Sequence, residues 1–322
     1  CGYMYTDENG VAHYYDDQTD NYVQKNWQLL VNHTFSPAWN LNVGLHYTKG
    51  DGYYQEYKDG RTLVEYALQP FMQDGALVDE SDLVRKKAMD NHFGGGVFSL
   101  NYKDERLNAS LGGALNRYEG DHFGKVLWVK NYAGMLSPDH EYYRNVGTKT
   151  DGNVYLKADY SLTDNLNAYA DLQYRHIDYT IEGNNDKWNS VTNDGLQRLD
   201  IDDTFDFFNP KFGLSWQIND HNRVFGSFSV AQKEPTRNNY TDGKLLEHPK
   251  AERLLDYELG YVFANKWLNI GANLYYMDYK DQLVLTGELN EIGEPVAANV
   301  PESYRMGVEL MAGVKLDCGF TW

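Results

Sequence analysis

The side chains in this chain best suited to chemistry are aromatic rings set in polar stretches that read as loops. Tyr53, Tyr54, Trp128, Tyr132, Trp188 and Tyr240 are the candidate ligand-binding residues, with Tyr57, Tyr142 and Tyr143 beside them. Tyr and Trp offer large stacking faces with a polar handle, which suits a ligand platform. No residue set reads as catalytic. Gly-x-Ser-x-Gly and His-Glu-x-x-His are both absent from the sequence, so no enzyme is expected. His122, His140 and His248 could ligate a metal, but solvated loop histidines are the simpler reading. Asp200, Asp202, Asp203 and Asp206, with Asn184, Asn185 and Asp186 upstream, offer oxygen ligands of the kind calcium takes. Their spacing fits no EF-hand loop, and a solvated acidic loop is favoured. Neither a metal site nor a cofactor is expected.

The elements that must position these rings announce themselves by a side-chain period of two. Val154, Leu156, Ala158, Tyr160 and Leu162 alternate with Asn153, Tyr155, Lys157, Asp159 and Ser161. Thr163-Asp164-Asn165 turns the chain, and Leu166, Ala168, Ala170, Leu172 and Tyr174 then alternate with polar residues. A period of two means β-strand. About 11 strands follow from the same pattern. They lie near 21–35, 41–47, 91–102 and 107–115, as the pair within 153–181, and near 212–218, 224–230, 255–261, 268–276 and 304–312. Short turns recur near 37, 104, 164, 220, 265 and 318. Long connections fall between them, to about 88, to about 151, and near 182–205, 232–252 and 281–302. Short turns on one side and long loops on the other mark an outer-membrane β-barrel, where a soluble sandwich or propeller shows no such asymmetry.

Composition agrees with this reading. The chain has 322 residues, 27 of them Tyr, and a formal net charge of −18. No stretch of about 20 apolar residues is present, so a membrane helix is excluded. A barrel survives that exclusion because only every second residue faces lipid, which also allows a mean hydropathy of −0.65. The acidic balance argues against nucleic acid as a partner. Cys1 and Cys318 make no disulfide framework or metal motif. Strand-end tyrosines such as Tyr47, Tyr102, Tyr174, Tyr261 and Tyr276 read as the aromatic girdle at the lipid headgroups. The fold class is therefore all-β, an antiparallel transmembrane barrel portion of about 11 strands out of the roughly 22 of a plugged transporter. An odd, open set of strands cannot close a bacterial barrel. Residues 1–322 are expected to be a single incomplete barrel domain, with the plug and flanking strands outside this piece.

Several segments resemble TonB-dependent outer-membrane receptors of the kind common in Bacteroidetes. Pro249-Lys250-Ala251-Glu252 precedes the strand Tyr257-Glu258-Leu259-Gly260, and Asn299–Glu309 enters a strand with Gly307-Val308-Glu309. Glu234-Pro235-Thr236, Asn239–Asp242 and Gly120–Gly124 fit the same order. The resemblance implies a Gram-negative outer-membrane importer that the TonB complex energises through a plug. Its small-molecule ligand would be an iron–siderophore complex in the first reading and a corrinoid in the second. Haem is disfavoured, because His248 falls at the start of the family's second haem motif and not between the two. A non-energised outer-membrane porin or adhesin barrel is the alternative.

Overall fold

The computed structural model of the chain describes residues 3–189, 191–241, 248–289 and 295–315. A small hairpin comes first, β1 (Tyr3–Thr6) with β2 (Ala12–Tyr14). Two long strands follow, β3 (Thr19–Ser36) and β4 (Trp39–Thr62). A second small hairpin, β5 (Phe71–Gln73) with β6 (Ala76–Val78), turns on Asp74 and Gly75, both at positive φ. That is the backbone a tight Asp-Gly hairpin requires. The remaining long strands are β7 (Glu80–Lys103), β8 (Leu107–Val129), β9 (Glu141–Thr163), β10 (Leu166–Trp188) and β11 (Leu196–Asn219). After β12 (Asn222–Lys233) comes the short helix α1 (Arg237–Thr241), then β13 (Glu252–Ala264), β14 (Leu268–Leu289) and β15 (Pro295–Val314).

Eleven of these strands form one sheet, in the order β3-β4-β7-β8-β9-β10-β11-β12-β13-β14-β15. Every pairing is antiparallel. The expected meander is thus present. Side chains close its tight turns. The Asp104 carboxylate accepts the backbone N–H groups of Arg106 and Leu107 at 2.8 and 2.7 Å. Asn219 does the same for His221 and Asn222, and Asn265 for Trp267 and Leu268. The turn expected near 318 lies outside the described residues.

The strands are longer, and the loops shorter, than the apolar alternation implies. β4, β7 and β11 each run 24 residues. The connection expected to last to about 88 spans only 63–79, and the one expected to last to about 151 spans 130–140. Among the described residues the stretch 182–205 is strand except for 189 and 191–195. The reason is physical. Alternation is imposed where one face meets lipid, but the hydrogen-bonded ladder continues beyond lipid with polar side chains on both faces.

The two faces are distinguished by contacts between strands that are not neighbours. His46 on β4 meets Asn116 on β8 at 2.9 Å, across β7. Lys87 on β7 pairs with Asp186 on β10, across two strands. Such contacts form only on a concave face, which is therefore the lumen. Leu214, Trp216, Ile270 and Leu274 point the other way and are 41–55% exposed. Leu268 and Ala272 share that outer face, while Ser215, Asn269 and Asn273 face the lumen. Tyr47, Tyr102, Tyr174, Tyr261 and Tyr276 all sit on the outer face. Tyr47 and Tyr102 make tilted contacts with Trp27 and Trp39, and Tyr276 stacks on Tyr304. Trp39 and Tyr47 lie eight positions apart, a rise of about 26 Å along the strand and about 20 Å along the membrane normal at a 40° tilt. That matches the apolar band of an outer-membrane barrel.

The buried core is not in the membrane zone. Two clusters occupy the lumen face toward the long-loop end. One joins Leu63, Tyr66, Leu68, Leu83, Val126, Tyr142 and Tyr143. The other joins Ile177, Tyr179, Ile181, Leu199, Phe207 and Tyr240. Tyr240 belongs to α1, so the β12–β13 connection folds inward and packs against the wall.

Candidate functional site

A cavity of about 260 Å³ opens on the lumen face between these clusters. Its wall comes from Tyr54 on β4, Lys87 on β7, His122 on β8, Tyr143 and Asn145 on β9, and Asn185 and Asp186 on β10. Asp20, Asn21 and Tyr22 of β3 and Arg237 and Thr241 of α1 also line it. Register accounts for the set. Along each strand every second residue faces the lumen, and Tyr54, Lys87 and Gly124 stand in register across β4, β7 and β8. Gly124 must stay small, because a Cβ there would meet the rings of Tyr142 and Tyr143.

Polar contacts hold the wall in place. Asn145 donates its amide to the Asn184 carbonyl at 2.8 Å and accepts from Arg237. Asn185 donates to the Thr241 carbonyl at 3.2 Å, tying β10 to α1. The Tyr240 hydroxyl donates to Asp203, and His248 meets the same carboxylate at 2.9 Å. At the start of the connection Glu234 is buried against Lys149 and Arg175, the latter at 2.9 Å. Asp151 binds the other side of the Arg175 guanidinium at 2.6 Å. The outward apolar run of β8 ends at Leu115, so His122 stands above the lipid band. Burial, reinforced by the Arg237 guanidinium, pushes its pKa down to about 4 and keeps the ring neutral at physiological pH. A second, larger cavity of about 740 Å³ adjoins, with Arg61, Tyr66, Arg85, Lys187 and Trp188 in its wall. There Arg85 is fixed by Glu56 at 2.8 Å and by the Tyr66 hydroxyl at 3.2 Å.

The structure divides the six aromatic candidates. Tyr54 lines the first cavity and Trp188 the second. Tyr240 does not line the first cavity; only 6% exposed, it wedges α1 against Tyr179. Tyr53 borders the first cavity, but register turns its ring to the outer face, where the Lys86 ammonium lies 3.6 Å from the ring centre. Trp128 is also on the outer face, 6.4 Å from Tyr57, in a separate groove with Tyr15 and Val84. Tyr132 packs edge-on against Phe71 beside the first cluster. The aspartates divide as well. Asp200, Asp202 and Asp206 face outward and Asp203 inward, so they form no common ligand set. His140 is engaged by the Tyr66 carbonyl at 2.7 Å. Lys87 and Arg237 carry no signal in the sequence that would single them out.

Residues 2–322 match the family described as TonB dependent receptor-like, beta-barrel. The chain belongs to this family. A TonB-dependent receptor barrel sits in the outer membrane, and that fixes the bilayer around the apolar band described above. A search of curated proteins finds no match. Among solved structures, the FrpB iron transporter from Neisseria meningitidis is similar at 17% identity and a TM-score of 0.51, over 91% of this chain and 41% of that one. The ferric yersiniabactin uptake receptor FyuA from Yersinia pestis is similar at 13% identity and a TM-score of 0.56, over 97% and 43%. The siderophore receptor PiuA from Acinetobacter baumannii is similar at 12% identity and a TM-score of 0.56, over 94% and 46%. This receptor barrel therefore spans about half the length of the structures it matches, and at these identities the likeness shows the fold.

Proposed function

We propose that the chain is part of the barrel of a receptor that imports an iron–siderophore complex, energised by TonB through a plug domain of the whole protein. The observation that carries this reading is the lumen-mouth cavity, walled by Tyr54, Tyr143, Lys87 and Arg237, in a chain of this family. A small-molecule site is concave and combines aromatic surface with a few placed polar groups. The names of the similar structures, an iron transporter, a ferric yersiniabactin uptake receptor and a siderophore receptor, support iron as the cargo. The eleven strands, with β3 and β15 at the two edges, support a domain completed by further strands of the whole protein. Deleting the gene should abolish growth on at least one ferric siderophore as sole iron source, and restoring it should rescue growth. Unchanged growth on every ferric source, with loss on a corrinoid source instead, would replace iron by the corrinoid reading.

The faces give a sharper test. In the full-length receptor Tyr54→Ala should weaken binding of the growth-supporting ferric siderophore by about 1–3 kcal/mol, the range of a binding hot spot. Trp128→Ala, on the outer face, should leave affinity unchanged. Titration by intrinsic fluorescence quenching measures both. Equal losses at the two positions would show that the ligand does not bind in the lumen.

A further inference from the structure

We propose that Arg237 is the anchor for an anionic group of the imported ligand; this rests on the lumen-mouth cavity being the binding site. Most cations of this region face carboxylates. Lys87 pairs with Asp186, Arg85 with Glu56, and Lys149 and Arg175 with Glu234 and Asp151. Arg237 differs. Its partners are the Asn145 carboxamide oxygen and the Tyr179 hydroxyl, both neutral. Among the described residues no carboxylate pairs with it. A half-buried guanidinium without a counter-charge is costly, in a chain of net charge −18 that has carboxylates in abundance. The arrangement is stable on its own terms once an anion enters. The same positive field helps to keep its neighbour His122 uncharged.

The geometry names the chemistry. The guanidinium presents a planar fork of donors, which suits the paired oxygens of a carboxylate or catecholate. A cavity of about 260 Å³ holds one such arm and not a whole ferric complex. The bulk of the ligand would then lie higher in the lumen, beyond the rings of Tyr54 and Tyr143. Neutral His122 and the amides of Asn145 and Asn185 add polar contacts, Lys87 neutralises Asp186, and the remaining carboxylate of the lining, Asp20, stands exposed on β3.

The test uses the purified full-length receptor and three iron complexes of similar size: an anionic tris-catecholate, a neutral tris-hydroxamate, and a tris-hydroxamate carrying one amine. The wild type should prefer the anionic complex at least tenfold. Arg237→Gln should lose about tenfold or more of that affinity and leave the neutral complex unchanged, since a charge-assisted hydrogen bond is at stake. Arg237→Lys should recover part of the preference, which separates charge from a packing role of α1. Equal weakening of all three complexes by Arg237→Gln, or no preference in the wild type, overturns the proposal. A second measurement keeps it separate from the iron reading. If no ferric complex binds but iron-free citrate raises the Tm of the wild type and not of Arg237→Gln, the anion site stands and iron falls. If citrate also has no differential effect, the anion site falls too.

Discussion

Glu234→Ala in the full-length receptor is expected to loosen the inward-folded β12–β13 connection by about 3 kcal/mol, the lower end for breaking a buried ion pair. Glu234 is 8% exposed and bridges Lys149 and Arg175, while those partners keep roughly a quarter of their surface. Removing the carboxylate strands Lys149 on the lumen wall and leaves Arg175 with Asp151 alone. The next contacts inward, Arg237 to Asn145 and Tyr240 to Asp203, must then hold the segment without its first tie. Trypsin cleavage after Lys233 and Arg237 should accelerate by about 150-fold if opening is rapid relative to cleavage. An unchanged rate would mean that the packing of Tyr240 alone fixes the segment. The same tie has a pH dependence. Burial opposes the charge of Glu234, but Lys149, a backbone N–H and Arg175 together outweigh it and hold the carboxyl below its ordinary value of 4.5. A depressed carboxyl pKa stabilises above the unfolded value and fails as pH falls through the folded one. Protection from acid-stable proteases should therefore hold above pH 4.5 and fade progressively below it.

Leu111→Arg should destabilise the barrel by about 2–4 kcal/mol, the cost of a guanidinium at the bilayer midplane. Leu111 lies on the outer face of β8, between Leu100 of β7 and Leu156 of β9, and is 43% exposed in the isolated chain. The outward run of β8 extends from Leu107 to Leu115, so Leu111 sits at its middle. Leu115→Arg, next to the native Arg117 at the edge of the run, should cost about 0–1 kcal/mol. Reversible unfolding in lipid vesicles gives both values. Equal costs at the two depths would show that the apolar band is misplaced along β8.

The contrast between those two leucines also shows what the sequence could disclose. Lipid sorts residues by face, so Leu107 to Leu115 read as strand at once. Above Leu115 nothing sorts them. Arg117, Glu119 and Asp121 on one face and Tyr118, Gly120 and His122 on the other are all compatible with water, although the ladder continues to Val129. The upper halves of β4, β7, β8 and β9 consequently looked like loop. The strand count and the connectivity were legible because turns such as Asp104 and Asn219 carry their own closing side chains. The site was legible only in kind. Tyr54 stood out as an aromatic residue, but separating it from Tyr53 needs the alternation carried up from Tyr47 without a bulge. Arg237 was invisible because its position depends on α1 turning inward. That turn is set by links between Glu234 and residues 85 and 59 positions earlier, Lys149 and Arg175.

The extension of paired strands past the lipid has a consequence for how the cell surface sees this protein. β10 runs 14 residues beyond Tyr174 of the upper girdle to Trp188. That is about 46 Å of strand, or about 35 Å of height at a 40° tilt. Among the described residues the wall above the girdle is thus mostly hydrogen-bonded strand. Antibodies and phage tail fibres, being far wider than the bore, would touch its rim, such as 130–140 and 191–195, while the cavity stays recessed below. Changes at the rim and contacts made in the cavity then fall on different residues, so the rim can change its surface identity without altering the cavity wall.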